Sequence, residues 1–479
     1  MTADSPRSKR IVVVGAGING LAAAWSAHEA SGGAADVWCL EAGPEVGGKA
    51  RTRREAGWLV EEGPTGFLSG EPVLEELMSR AKLDPVAADE TAARRYVVQG
   101  GRAREIVMNP IAFAKSGILS PMGLLRIARE PWIPRRDARQ GEESVFDFAE
   151  RRLGRQAAER LIAPMVLGVF AGDAQRISLP AAFPRMAELE RDHGSLFKAM
   201  FAIAKERAGQ PATQRGGPAG PKGQLHSFKD GMQALPRALA ANAPFAVRTD
   251  SPITSLDHDP VRGAWRFTVG DSTEPHWADE VILSCDARAS SRLLRSFLPE
   301  VSDELDAIPI PGLVVVGLGY DSPASIAAFP TGFGALIPRD EGYRSLGVLF
   351  DDQLFPGRSP EGKALVRVML GGAVDPEAAT LTEKELVKIA SDDLARLFDL
   401  PDRPTSYELI RWTESIPQYE VGHLQRVQRI DNALARFSEH HPGLSVAGCH
   451  ARGVAFGKTA AEGWRVGKLV GERSRPRLA

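Results

Sequence analysis

The amino-acid sequence predicts an α/β protein with three parts: a parallel-sheet core, a second domain built on a mixed β-sheet, and a helical insertion. An apolar strand that runs into a glycine-rich turn and a helix, between Ile11 and Ala24, predicts the core. Four β-rich runs between Gly312 and Leu370 predict the mixed sheet. Successive helical patterns within residues 110–223 predict the insertion.

The composition excludes several classes of function. The chain has 479 residues, of which 43% are hydrophobic and 25% charged, as in soluble globular proteins of two or three domains. Its 59 basic and 61 acidic residues give a formal net charge of -2. A nucleic-acid-binding protein would carry a basic excess, so we expect no nucleic-acid partner.

The cysteines and histidines form no pattern of a metal site or a disulfide framework. Cys39, Cys285 and Cys449 are scattered singly, and the nine histidines include no His-Glu-x-x-His motif. We therefore expect no metal and a reducing, cytoplasmic location. The N-terminal apolar run is too short and too glycine-rich for a signal peptide, and no window approaches the roughly 18 uninterrupted apolar residues of a membrane span.

The glycines of the first motif have the spacing of a dinucleotide-binding turn. Gly15 permits the turn, Gly17 removes a side chain where a pyrophosphate would meet the backbone, and Gly20 lets the helix pack on the strand. The helix N-terminus, with Ile18 and Asn19, would face the anion. The motif therefore predicts that these five residues bind a dinucleotide cofactor.

A second strand, Asp36 to Leu40, ends in an acid and a second glycine turn. Glu41, followed by Ala42, lies where a carboxylate accepts a hydrogen bond from the cofactor ribose. The pair Gly47-Gly48 then lets the backbone approach a ligand again, with Arg51 as a basic residue near the phosphates. Flavin enzymes of the two-dinucleotide-binding, glutathione-reductase-like class commonly have this second turn, so we expect FAD.

Two further stretches are predicted to contact the cofactor. Within Trp58 to Leu68, a short strand is followed by the turn Gly63-Pro64-Thr65, whose backbone is predicted to lie along a planar ring. The alternative for this stretch is a simple β-hairpin corner. Backbone groups near Ile253 are expected to pair with an adenine.

The C-terminal segment predicts a closing strand, turn and helix. A strand from Leu444 to Ala447 leads through Gly448 and Gly453 into a helix that is expected to begin at about Val454, with Ala455 in its first turn. The positive end of the helix dipole would then stabilise negative charge on a reduced flavin.

Two stretches outside the core have charged patterns. Arg95 begins a strand pair that turns at Gly100-Gly101, and its guanidinium fork matches a carboxylate. Residues 110–136 are amphipathic and basic and carry Trp132. This stretch is open to two interpretations: it rests on an anionic membrane surface, or it is a helical subdomain packed on its own chain.

The order of these elements predicts the domain boundaries. The FAD-binding domain is expected to comprise residues 1–90, 224–290 and 442–479. The substrate-binding domain is expected to comprise residues 91–109 and 291–441. The helical domain is expected at residues 110–223, with a Gly- and Pro-rich linker at its end, residues 208–223.

These elements, with a set of short motifs, resemble the oxygen-dependent protoporphyrinogen oxidases within the flavin amine oxidase and phytoene desaturase superfamily. The motifs in this chain are Gly63-Pro64, Arg94 to Val97, Phe183-Pro184-Arg185, Leu346-Gly347, Phe355-Pro356, Pro417-Gln418-Tyr419 and Gly422-His423. One stretch departs from the pattern, because Val454 to Thr459 stands where members of that family commonly carry an Asp-Cys pair.

The resemblance implies an FAD-dependent oxidase that converts protoporphyrinogen IX to protoporphyrin IX in haem biosynthesis, with dioxygen as electron acceptor and hydrogen peroxide as product. It implies that the flavin carries the chemistry without a catalytic side chain. It also implies that Arg95 binds a substrate propionate and that Leu346 and Phe350 line an apolar cleft.

Several alternatives stay open. One alternative is that the substrate is coproporphyrinogen III. Another is that the chain is a different FAD-dependent amine oxidase or desaturase. A third is that it is a flavin and porphyrin carrier without turnover. Peripheral attachment to the inner face of the cell membrane through residues 110–136 and a homodimer also stay open.

Overall fold

The computed structural model describes residues 8–107, 109–208 and 224–475. Apart from residue 208, the predicted linker at residues 208–223 lies outside the described residues. The strands of the described chain, numbered in chain order, are β1 Arg10–Val14, β2 Asp36–Leu40, β3 Thr52–Glu55, β4 Trp58–Glu61, β5 Phe67–Leu68, β6 Val86–Ala87, β7 Arg95–Val98, β8 Ala103–Glu105, β9 Leu225–Ser227, β10 Ala246–Arg248, β11 Ile253–Asp259, β12 Ala264–Val269, β13 His276–Ala278, β14 Glu280–Leu283, β15 Leu313–Tyr320, β16 Gly334–Leu336, β17 Gly347–Phe350, β18 Ala364–Gly371, β19 Ser406–Trp412 and β20 Leu444–Val446.

The α-helices lie between and around these strands. In the described chain they are α1 Ile18–Ala30, α2 Pro72–Ala81, α3 Pro110–Lys115, α4 Pro121–Ala128, α5 Val145–Leu153, α6 Arg155–Ala157, α7 Ala163–Phe170, α8 Leu179–Ala182, α9 Pro184–His193, α10 Leu196–Ala208, α11 Ala234–Ala241, α12 Ala287–Leu294, α13 Pro299–Asp306, α14 Pro323–Ala328, α15 Asp351–Leu354, α16 Glu383–Phe398, α17 His423–Ser438 and α18 Phe456–Arg473.

The core of the first part is a five-stranded parallel sheet in the order β10, β2, β1, β14, β20. Its central strand, β1, is almost wholly buried, because helix α1 covers one face and the antiparallel sheet of β11, β12 and β13 packs on the other. The carboxyl ends of β1, β2 and β14 therefore meet at one edge, where ligands of open α/β sheets bind.

Two helices cross each other unusually closely: α1, which directly follows β1, and the last helix, α18. Gly463, Gly467 and Gly471 recur every four residues along one side of α18. A Cβ at each of them would overlap a backbone carbonyl oxygen of α1, which for Gly467 is that of Ala23. The absence of side chains lets the two backbones touch, and it holds the start of α18 at the cavity edge.

The second part is a seven-stranded mixed sheet in the order β19, β15, β18, β17, β16, β7, β8. Its pairs are antiparallel except for β16 and β7, which run parallel. The long helix α16 packs on one face, and the two form a core with Val316, Val368 and Leu394 fully buried. The opposite face supplies one wall of the central cavity.

Helices α3 to α10 form the third part, around a buried cluster of charges. The guanidinium of Arg152 lies 3.3 Å from the carboxylate of Glu130 and 2.8 Å from that of Glu190, and all three side chains are buried. The same two terminal nitrogens donate to the carbonyl oxygens of Ile133 and Gly194, while Nε has no hydrogen-bond partner within the described residues. Breaking a buried ion pair would leave an uncompensated charge, so this cluster constrains how the helices meet.

The hydrophobic cores suggest a refinement of the predicted domain boundaries. Residues of α12 and α13, such as Leu294 and Leu305, share one core with Val12 and Val281 of the parallel sheet. Ile430 of α17 belongs to the same core. We propose that residues 291–310 and 423–441 belong with the parallel sheet, although the sequence pattern assigned them to the substrate-binding domain.

Among the described residues, the helices are all too short or too polar to cross a lipid bilayer.

Candidate cofactor and substrate site

One cavity of about 2170 Å³ runs from the carboxyl edge of the parallel sheet to the mixed sheet and the helical part. Glycine-rich turns line its first half, and aliphatic side chains dominate the second. The two halves are continuous, so a ligand in the first half can contact one in the second.

The first turn has the backbone that its glycines predict. Gly15 has φ +101°, a conformation that favours glycine, and an added Cβ would lie 3.1 Å from the carbonyl oxygen of Ser284. A Cβ at Gly20 would overlap the carbonyl oxygen of Gly15. Gly20 itself does not line the cavity, so its contribution is to let α1 pack against the turn.

The two glycine turns touch each other through their backbones. The Gly47 N–H donates to the carbonyl oxygen of Ala16 at 2.9 Å. An added Cβ at Gly48, which has φ +60°, would lie 3.3 Å from the Cα atom of Gly17. The turns therefore form one continuous backbone cradle on the cavity wall, free of side chains at its centre.

Glu41 lies on the wall with its carboxylate already oriented. It accepts hydrogen bonds from the backbone N–H groups of Ala16 at 2.8 Å and Gly43 at 3.0 Å. Carboxylate oxygens have more lone pairs than these two bonds occupy. The remaining acceptor capacity, next to Ala42 and Ile253 on the same wall, suits a ribose hydroxyl.

Three buried polar atoms on this wall have no hydrogen-bond partner among the described residues. They are Nε of Arg51, Oδ1 of Asn19 and Oγ of Ser284. Buried polar groups in native proteins are almost always paired, so unpaired ones around a cradle point to a polar ligand. The cradle, the oriented acid and these atoms together fit the ribose and phosphates of FAD.

The segment from Glu61 to Thr65 forms another part of the wall. An added Cβ at Gly63 would overlap the carbonyl oxygen of Lys49, so this segment lies directly on the second glycine turn. Side chains of the mixed sheet donate hydrogen bonds to its carbonyl groups. Trp412 Nε1 donates to the Glu62 oxygen at 2.7 Å, and a guanidinium nitrogen of Arg367 donates to the Glu61 oxygen at 2.6 Å.

The last helix begins at the cavity, slightly later than expected. Helix α18 starts at Phe456 rather than at about Val454, because Val454 and Ala455 are still extended or in the turn. Gly453 lies off the cavity wall, and an added Cβ there would be 2.6 Å from the Cβ of Lys458. No side chain caps the first turn, so its N–H groups stay available to a ligand.

The motif around Tyr419 supports the loop after β20. The Tyr419 hydroxyl donates to the carbonyl oxygen of Cys449, and its ring stacks on His423 at 4.1 Å. Nε2 of His423 lies 3.3 Å from the carbonyl oxygen of Ala451. Burial lowers the pKa of both His423 and nearby His450 to about 4, so both rings are neutral near pH 7. Gly448 and Cys449, at the start of this loop, line the cavity.

Arg95 lies on the wall of the apolar half. Its guanidinium carbon is 4.9 Å from the ring centre of Phe333, and no carboxylate of the described chain lies within ion-pair distance. Burial lowers the pKa of Arg95, although an arginine stays charged near neutral pH. A half-buried, unpaired cation in an apolar cavity is a candidate partner for a ligand carboxylate.

Of the two side chains predicted for the apolar cleft, Leu346 lines the cavity and Phe350 does not. Successive side chains of a strand point to opposite faces, so Leu349 of β17 faces the cavity and Phe350 faces the core under α16. There its ring packs against Phe329 and Phe398 at 5.9 and 5.8 Å.

Sequence analysis missed two contributions from the helical part. Between α6 and α7 the chain forms a π-helical turn, Ala158–Ile162, and π turns inside helices are frequent at functional sites. Leu161, Ile162 and Met165 line the cavity from this region. Arg185, the last residue of the motif at residues 183–185, also lines the cavity. A guanidinium nitrogen of Arg185 lies 3.2 Å from a carboxylate oxygen of Glu188.

The structure therefore gathers most of the predicted site residues around one cavity. Those on its wall are Gly15, Gly17, Ile18, Asn19, Glu41, Ala42, Gly47, Gly48, Arg51, Gly63, Pro64, Thr65, Arg95, Ile253, Leu346, Gly448, Val454 and Ala455. Gly20 and Gly453 shape the wall from behind, and Phe350 belongs to another core.

Comparison with known families assigns the chain to a class of flavoenzyme. Residues 18–470 match the family of flavin containing amine oxidoreductases. The chain belongs to that family, and its cofactor is FAD. Its mixed α/β fold is the one that FAD enzymes of this type share.

Among the relatives to which the chain is similar are porphyrinogen oxidases. The chloroplastic protoporphyrinogen oxidase of Oryza sativa subsp. japonica is 31% identical over 460 residues, which covers 93% of this chain and 85% of that protein. The coproporphyrinogen III oxidase of Bacillus subtilis (strain 168) is 27% identical over 464 residues, with 94% and 96% covered. A crystal structure of a candidate protoporphyrinogen oxidase from Exiguobacterium sp. 255-15 has the same fold, with a TM-score of 0.82 at 23% identity over 98% of this chain and 100% of that one.

Proposed function

We propose that this chain is an FAD-dependent oxidase of protoporphyrinogen IX in haem biosynthesis, with dioxygen as electron acceptor and hydrogen peroxide as product. One observation carries the proposal. The unpaired Arg95 lies in an apolar cavity that is continuous with the FAD cradle. Such a cavity suits a flat apolar macrocycle with carboxylates at its rim, and the relatives in rice and other plants bear this activity in their names.

The residues of this chain would mainly position the substrate. Bound FAD supplies a hydride acceptor, so the protein needs no nucleophile or metal. The aliphatic walls from the π-helical turn and the mixed sheet would hold the ring and exclude water. Arg95 would bind one propionate through its guanidinium fork. Arg185 is placed on the same wall and is a candidate for a second.

The substrate choice has one alternative with support of its own. The relatives from Bacillus subtilis and Staphylococcus aureus are named coproporphyrinogen III oxidases. Protoporphyrinogen IX carries two propionates and coproporphyrinogen III carries four. The apolar lining of this half favours the substrate with fewer carboxylates, because each extra buried carboxylate would need its own partner.

Steady-state oxidation of the two porphyrinogens in air tests the proposal. We expect porphyrin fluorescence and one equivalent of peroxide per two electrons, with a higher kcat/KM for protoporphyrinogen than for coproporphyrinogen. The reverse order would make coproporphyrinogen the substrate. Turnover only with primary amines or a carotenoid would identify another amine oxidase or desaturase. Bound FAD without any turnover would identify a carrier.

Three finer features are proposals as well. The parallel-sheet part is a two-dinucleotide-binding domain of the glutathione-reductase-like class, supported by its two glycine turns and Glu41. The enzyme acts in the cytoplasm as a monomer or a homodimer. Residues 110–136 touch the inner face of the cell membrane, because Ile111, Met122 and Trp132 are exposed beside basic side chains.

A further inference from the structure

A buried ion pair connects the mixed sheet to the wall of the FAD site. Arg367 of β18 and Asp351 at the start of α15 are both buried. Nε of Arg367 lies 2.5 Å from one carboxylate oxygen of Asp351, and a terminal nitrogen lies 2.9 Å from the other. This bidentate geometry is the strongest form of the arginine and carboxylate pair.

The rest of the Arg367 guanidinium binds the segment from Glu61 to Thr65. One terminal nitrogen donates to the carbonyl oxygen of Glu61 at 2.6 Å and lies 3.4 Å from that of Gly63. The other donates to the Thr65 hydroxyl at 2.5 Å. A single side chain thus holds three points of a five-residue segment that belongs to a different part of the molecule.

The strand end of this segment has other contacts: the Glu61 carboxylate accepts hydrogen bonds from Thr52 and Met232, and the Glu62 N–H donates to the carbonyl oxygen of Arg51. Gly63, Pro64 and Thr65, by contrast, make no further hydrogen bond within the described residues. The segment follows the end of β4, and Glu62, Gly63, Pro64 and Thr65 all line the cavity. A trans peptide places its N–H opposite its carbonyl oxygen. Because Trp412 binds the Glu62 oxygen from one side, the Gly63 N–H points away from Trp412. The orientation of these peptide groups, and so the shape of the wall, depends on the donors behind them.

We propose that the ion pair of Arg367 and Asp351 is a positioning device for FAD, which fixes the segment from Glu61 to Thr65 in the conformation that receives the cofactor. Asp351 does not line the cavity, so it acts through Arg367. The inference depends on FAD as the cofactor and does not depend on which substrate is oxidised. A wrong substrate assignment would leave it intact.

The test is FAD release from the purified holoprotein, measured by recovery of flavin fluorescence on dilution, together with the visible flavin spectrum. Arg367→Lys keeps the positive charge but loses the fork, and Asp351→Asn keeps the shape but loses the charge. We expect the FAD Kd to rise about tenfold or more in each, since each loses a charge-assisted bond. We also expect the flavin spectrum to broaden as the wall loosens.

Arg152→Lys is the matched control. Arg152 is likewise buried and paired with carboxylates, those of Glu130 and Glu190, but it lies in the helical part and off the cavity wall. We expect this variant to lose thermal stability while its FAD Kd stays within about twofold of wild type. If Arg367→Lys fails to fold, Asp351→Asn decides the question. Unchanged FAD release in the variants, or equal release in Arg152→Lys, would overturn the proposal.

Discussion

Two adjacent arginines differ in what they contact. Arg94 lies 2.9 Å from the carboxylate of Glu105 and points off the cavity wall, while Arg95 is half-buried on that wall without a carboxylate partner. An exposed ion pair contributes little to stability or function. A desolvated cation gains much more when a ligand carboxylate reaches it. Arg94 is therefore a matched control for a test of Arg95.

Arg95→Ala should lower kcat/KM for the porphyrinogen about 10- to 100-fold, the loss expected for one charge-assisted hydrogen bond. The measurement is steady-state porphyrin formation with the variant and wild type side by side. Arg94→Ala is the control, and its kcat/KM should change less than about twofold. Equal losses in both variants would mean that the charge of this strand, rather than a contact from Arg95, matters.

At the residue scale, sequence could predict the glycines but not the charges behind the wall. Gly15 and Gly47 are recognisable because their backbone angles, with φ of +101° and +124°, strongly favour glycine. Arg367 has no local signal of its role at the cavity wall, since its partners Glu61 and Thr65 lie 306 and 302 positions away along the chain. Phe350 was misplaced because a one-residue shift along a strand reverses the face of a side chain.

At the scale of elements, the contact between α1 and α18 positions the cofactor cradle. Both helices begin at the cavity, so their crossing sets the distance between the two helix N-termini. The glycines of α18 make that crossing close. In the sequence, glycines recur every four residues in α18, and Ala23 and Ala27 have the same spacing in α1. This spacing indicates a close crossing of the two helices.

Gly467→Ala should destabilise the protein by about 1–3 kcal/mol and weaken FAD binding, because its Cβ would overlap the carbonyl oxygen of Ala23. Thermal unfolding and FAD release measure the two effects. Lys468→Ala, an exposed change on the next position of the same helix, should leave both unchanged. A Gly467→Ala variant as stable as Lys468→Ala would contradict the close crossing.

The segment at residues 110–136 is partly packed on its own chain and partly exposed. Ile118, Leu119 and Phe113 pack on the protein's own helices. Leu125 and Trp132, in contrast, are 57% and 80% exposed. Periodicity revealed an amphipathic stretch but not how much of its apolar surface the rest of the chain covers. That surface is set by tertiary packing.

Leu125→Ser combined with Trp132→Ser should reduce binding to vesicles that contain an anionic phospholipid, because apolar contact and charge act together at such surfaces. Co-sedimentation with phosphatidylglycerol vesicles is the measurement. A matched pair of exposed apolar residues elsewhere, Val261→Ser with Tyr407→Ser, should have no effect. Wild-type protein that stays in the supernatant would refute the membrane contact at once.

At the scale of the whole molecule, three parts meet at one cavity through buried polar groups. The neutral His423 contacts the loop that carries Gly448 and Cys449, and the neutral His450 is buried within that loop. Charging either ring would place an unpaired cation in a dry site. The sequence predicted the three parts and their order, but it could not predict these contacts, because they join residues that are distant in the chain.

Thermal stability should therefore fall as the pH drops from about 6.5 towards 4. The pKa of each histidine is near 6.5 when unfolded and about 4 when folded, so the unfolded chain binds more protons in this window. In this window each histidine lowers the free energy of unfolding by up to about 1.4 kcal/mol per pH unit. His423→Gln keeps a hydrogen-bonding side chain without the titration. Its melting temperature should fall less steeply with pH than that of wild type, and an equal slope would contradict this account.

The central claim is that a porphyrinogen in the apolar half of the cavity reduces FAD held in the other half. The most direct measurement is anaerobic mixing of the purified yellow protein with protoporphyrinogen IX, with flavin absorbance recorded over time and coproporphyrinogen III as the parallel sample. The account predicts rapid bleaching by protoporphyrinogen, then porphyrin fluorescence and peroxide when air is admitted. A flavin that neither porphyrinogen bleaches would contradict it.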